Sequence, residues 1–76
     1  MNKERRKTIR EIMEQIEELK SSLEDCQWDE EEYRDNIPEN LQGSERYEKA
    51  DNAVSNIEDA VSNLEEVLSS LEEAIA

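Results

Sequence analysis

The chain has 76 residues, 22 of them acidic and 9 basic, for a formal charge of −13, with no histidine and one each of Cys, Gly and Pro. A single domain of this length has a thin core unless disulfides, metal or a partner support it, so association is expected. These counts exclude a disulfide framework, a cysteine-rich zinc site and a glycine-rich phosphate loop.

The first ten residues carry Lys3, Arg5, Arg6, Lys7 and Arg10 against Glu4, whereas residues 11–76 carry 4 basic and 21 acidic side chains. A nucleic-acid-binding protein presents basic charge more broadly, so direct DNA or RNA binding is not expected. No apolar run follows the basic start, which argues against a signal peptide or membrane span and for a cytoplasmic protein without a membrane partner.

From about residue 2 to 35 the chain reads as a helix, with Asn2 placed to cap it. Ile9, Ile12, Ile16, Leu19, Leu23 and Cys26 recur at spacings of three and four, and the same register continues through Glu30, Tyr33 and Ile37. Met13 widens the stripe, and Cys26 on it reads as a small buried hydrophobe. Glu17 with Lys20 and Glu30 with Arg34 supply opposite charges along the helix surface. Trp28 falls opposite the seam. It is an isolated exposed aromatic, or folds onto a neighbouring chain, or contacts a partner; a kink with Asp29 as a new cap would instead turn it inward.

Residues 36–43 break the periodicity. Pro38 keeps Ile37 out of the helical region, Gly43 supplies freedom for a positive φ, and Ser44 is placed to cap a second helix. Ile37 and Leu41 are expected to plug the end of a bundle, with one short helical turn over Pro38–Leu41.

The second helix, about 44–75, carries the clearest pattern in the chain. Tyr47, Ala50, Val54, Ile57, Val61, Leu64, Leu68, Leu71 and Ile75 form an unbroken heptad seam, widened by Ala53, Ala60, Val67 and Ala74. Two helices of roughly equal length, about 50 Å each, around a short connector specify an all-α antiparallel hairpin. The amino-terminal basic cluster then lies beside the carboxyl end of the second helix and its Glu72 and Glu73. The breadth of the stripe favours two hairpins pairing as a coiled-coil-like four-helix bundle, with a single hairpin or a larger assembly as alternatives. The expected core is Ile12, Ile16, Leu19, Leu23, Ile57, Val61, Leu64 and Leu68.

No residue pattern points to catalysis. Carboxylates are abundant, but acid–base pairs need a cleft that separates their pKa values, and a straight hairpin offers none. Glu30, Glu31 and Glu32 with Asp29 or Asp35 were they to bind a metal would lack the histidine partners of helical carboxylate sites, so no metal or cofactor is expected. The function expected is a small, self-associating acidic protein-interaction module, with Trp28, Asn36, Glu39, Gln42 and Arg46 as candidate partner contacts. One alternative is a nucleic-acid mimic that inhibits a basic host protein through Asp51, Glu58, Asp59, Glu65, Glu66, Glu72 and Glu73. Another is a purely structural dimer.

The run from Asp29 to Val67 resembles a set of short uncharacterised acidic helical proteins of Gram-positive bacteria and their phages. The resemblance rests on Asn36, Ile37, Pro38, Glu39, Leu41, Gln42, Ser44, Glu45 and Arg46 in the connector, and on the Ala/Ile/Leu/Glu-rich helix that follows. It implies a phage or mobile-element origin and a possible host-protein partner, and supplies no catalytic residue or cofactor.

Overall fold

The computed structural model describes residues 1–41 and 43–76. Helix α1 spans Lys3–Asp35 and helix α2 spans Glu45–Ile75, joined through a 3-10 turn at Glu39–Leu41. The two helices pack against each other as a hairpin measuring 59 × 15 × 13 Å.

Local chemistry fixes the ends of both helices. Asn2 is extended, and its side chain accepts a hydrogen bond from the Arg5 amide at 2.8 Å, filling one of the donors that a helix start leaves free. At the other end the Asn36 amide donates to the carbonyls of Glu32 and Arg34. Pro38 follows two residues on and disfavours helical geometry at Ile37. Ser44 caps α2 by accepting from the Tyr47 amide, with Glu45 and Glu48 in the first turn, where the helix dipole favours negative charge. Gly43 does not use a positive φ; the turn closes instead through Leu41 donating to Pro38 and Ser44 donating to Leu41.

The α2 seam packs as its pattern specifies. Ala50, Val54, Val61 and Leu68 are buried, and Ile57, Leu64 and Leu71 are half-buried. Ile37 closes the connector end at 2 % exposure, but Leu41 stays exposed and does not share that role. Among the described residues the buried set is these five, with Ile37 and Leu68 its largest side chains, so the hairpin by itself has little apolar burial to oppose chain entropy.

Helix α1 departs from the expected seam. Its inward residues are Ile9, Ile16, Leu23 and Glu30 alternating with Arg6, Met13, Lys20, Gln27 and Arg34. Ile12 and Leu19, expected in the core, are 44 % and 61 % exposed, and Cys26 and Tyr33 on the same line also face outward. The helix is rotated so that three long polar side chains, not three apolar ones, cover one flank of α2. Lys20, Gln27 and Arg34 lay apolar stems over the seam and carry their polar heads to carboxylates on α2. Helix α1 also runs unbroken through Trp28 and Asp29, so no kink turns the indole inward.

Candidate functional interface

The two sides of the hairpin differ in chemistry. One side is a polar ladder at seven-residue intervals. Arg34 Nη1 donates to Asp51 Oδ1 at 2.9 Å, Gln27 Nε2 donates to Glu58 Oε1 at 3.3 Å, and Lys20 Nζ lies 3.6 Å from Glu65 Oε1. Each rung has a second partner along α1: Asp35 for Arg34, Glu31 for Gln27 and Glu24 for Lys20. These replace the pairings expected for Lys20 with Glu17 and for Arg34 with Glu30. The bonds to Asp35 first and Asp51 second hold the Arg34 guanidinium above its ordinary pKa. Partly solvated pairs of this kind contribute little stability, but a ladder with one spacing on both helices selects one alignment over a slip by a turn.

The other side is apolar. Tyr33 and Arg46 mark it at the connector end, where Arg46 Nε donates to the Tyr33 hydroxyl at 2.9 Å and the guanidinium carbon lies 5.4 Å from the ring centroid. Seven-residue steps back from Tyr33 reach Cys26, Leu19 and Ile12, all exposed. Seven-residue steps forward from Arg46 reach Ala53, Ala60, Val67 and Ala74, half-buried or exposed. Between these lines run Ile57, Leu64 and Leu71. The result is an apolar strip along most of the hairpin, on the flank opposite the ladder.

A shallow open cleft of about 400 Å³ closes the connector end of this strip, lined by Glu30, Tyr33, Glu45, Arg46, Lys49 and Ala50. Lys49 pairs with Glu45 at 3.3 Å across one edge of it. The cleft brings Arg46 together with Tyr33, a neighbour that sequence spacing did not single out because it joins residues from both helices.

The other candidate contacts are scattered. Trp28 is 66 % exposed on the outer surface of α1, with Glu24, Asp25, Glu31 and Glu32 one turn to either side. Asn36 caps α1 and Glu39 begins the 3-10 turn, both exposed; Gln42 lies outside the described residues. Among the described residues, no group of three or more acidic or sulfur side chains is gathered as a metal site, and no helix is long and apolar enough to cross a membrane. At the free end, Arg6 Nε is enclosed without an acceptor.

No family model matches the chain, and no match is found among curated proteins or solved structures.

Proposed function

We propose that this chain is a small acidic protein-interaction module that self-associates in the cytoplasm, two hairpins joining by their apolar strips into a four-helix bundle. The observation that carries the proposal is the exposure of Ile12, Leu19 and Val67 on the same flank of the hairpin. An isolated soluble domain seldom leaves a continuous apolar strip in water, and such strips mark association surfaces. The hairpin's own outline, 59 by 15 Å, bounds such a contact at roughly 900 Å² per copy, against the ~800 Å² per partner of a stable interface. A bundle core would also add to the limited burial that Ile37, Ala50, Val54, Val61 and Leu68 provide.

The test is molar mass by sedimentation across a concentration series. The expected result is a species of twice 8.9 kDa that Leu19→Glu converts to a helical monomer. A mass of 8.9 kDa at every concentration for the unaltered chain would overturn self-association.

Trp28 favours a second reading, in which the outer surface binds a basic host protein in place of nucleic acid. Its indole stands among four carboxylates, which suits a cationic side chain stacked on the ring and paired at its edge. Competition with nucleic acid for a basic protein, weakened by salt and by Trp28→Ala, supports this reading; binding indifferent to both rejects it. The connector resemblance to phage proteins fits either role, and a purely structural dimer corresponds to the first reading without an external partner.

A further inference from the structure

We propose that the second copy docks on the apolar strip head to tail, with its connector against the free end of the first hairpin, about a two-fold axis that crosses the strip near Leu19 and Leu64. This inference rests on the self-association reading and adds the orientation of the partner copy.

The placement of residues favours one axis position. The exposed line of α1 runs Arg5, Ile12, Leu19, Cys26 and Tyr33, with Leu19 at its middle. The half-buried line of α2 is Ile57, Leu64 and Leu71, centred on Leu64. Pairing of Lys20 with Glu65 puts these two centres at nearly the same height along the hairpin. A perpendicular two-fold axis through that height serves both helices at once. It sets Leu19 against the partner's Leu19, Ile12 against the partner's Cys26, and Ala60 against the partner's Val67, a small side chain facing a larger one.

Charge selects this orientation over the alternative, in which both connectors lie at one end. The half of the hairpin nearest the connector, residues 21–64, carries 13 acidic and 3 basic side chains, a net −10. The free-end half, residues 1–20 with 65–76, carries 9 acidic and 6 basic, a net −3. Side-by-side connectors would hold two −10 halves within about one Debye length of each other, ~8 to 10 Å in ordinary salt. Head-to-tail docking sets each −10 half against a −3 half. It also carries Arg5, on the same seven-residue line as Ile12, to the partner's Tyr33, beside the partner's Asp29 and Glu30. Arg5, which has no salt bridge within the described part of its own hairpin, thereby meets carboxylates of the second copy.

A distance between connectors tests this directly. Gly43 suits a label, because a Cβ built there meets nothing within 4 Å and its φ is not positive. Gly43→Cys in a Cys26→Ala background, spin-labelled and measured by pulsed dipolar spectroscopy, keeps the label off the docking strip. Head-to-tail docking predicts a label separation approaching the 59 Å length of the hairpin. Connectors at one end predict about 25 Å or less, two interhelical spacings plus the label arms. The same sample is weighed by sedimentation. A dimeric mass with the short distance overturns the orientation and leaves self-association standing, whereas a monomeric mass at every concentration removes both.

Discussion

Truncating Leu19 to Ala separates the energetics of a lone hairpin from those of an assembly. In the hairpin Leu19 is 61 % exposed, so only about two-fifths of its side chain is out of water. Leu→Ala removes the equivalent of three buried methylenes at ~0.8 kcal/mol each, or about 1 kcal/mol at this partial burial. Alanine's higher helix propensity offsets a few tenths of that. If Leu19 is instead covered by a second copy, the remaining burial adds roughly 1.5 kcal/mol per chain, or about 3 kcal/mol per dimer, before any cavity contribution. That corresponds to a dissociation constant about a hundredfold weaker. The assay is chemical unfolding followed by far-ultraviolet circular dichroism at two protein concentrations a hundredfold apart, alongside a sedimentation series. The expected result is a midpoint for Leu19→Ala that drops further below the parent at the lower concentration, with the mass shifting toward monomer. A loss of 1 kcal/mol or less that is the same at both concentrations would refute the reasoning, because Leu19 would then be wet in solution as it is in the single hairpin.

Three further outcomes follow from the same packing. Leu68→Ala, at a buried seam position, is expected to destabilise by about 2 to 3 kcal/mol, near the low end for core leucines because a two-helix layer lets the gap open to solvent; denaturant titration reads it directly. Ser44→Ala removes the acceptor for the Tyr47 amide and is expected to cost ~1 kcal/mol, with fraying confined to the start of α2 by amide hydrogen exchange. Because each copy carries −13, association should strengthen as salt rises from about 0.01 M to about 0.15 M and the screening length falls from ~30 to ~8 Å; weakening over that range in sedimentation would show that attraction between the basic free end and the acidic connector outweighs the net repulsion.

The hairpin and its caps were legible because each depends on short-range chemistry. Asn2 and Ser44 stand one residue before helix-forming runs, and Pro38 closes off α1 whatever lies elsewhere in the chain. The α2 seam was legible too, since its nine apolar residues admit only one stripe. The facing stripe of α1 was not, and its failure is specific. Ile9, Ile16 and Leu23 belong equally to a stripe completed by Ile12, Leu19 and Cys26 and to one completed by Met13, Lys20 and Gln27. Apolar periodicity selects the first, because it counts methylenes and ignores polar heads. The fold selects the second, because the stems of Lys20, Gln27 and Arg34 lie over α2 while their heads reach Glu65, Glu58 and Asp51. One signal in the sequence pointed to this: the three polar residues on α1 and the three acidic residues on α2 each recur every seven positions, in opposite chain order. The Arg46–Tyr33 contact could not be read in the same way, since neither residue belongs to a repeat of its own kind.

The rotation of α1 also sets where its two apolar lines point. Here Ile9, Ile16 and Leu23 turn toward α2, while Ile12 and Leu19 stand about 60° round the helix, on the side where α2 presents Ala53, Ala60 and Val67. The ladder of Lys20, Gln27 and Arg34 occupies the opposite flank, so on the apolar side the long charged side chains of these two lines, Arg5 and Arg46, stand only at the ends. Polar groups thus decide which way the hairpin faces: they tie the two helices together along one edge, and in doing so they aim the second apolar line of α1 and the small residues of α2 in a common direction.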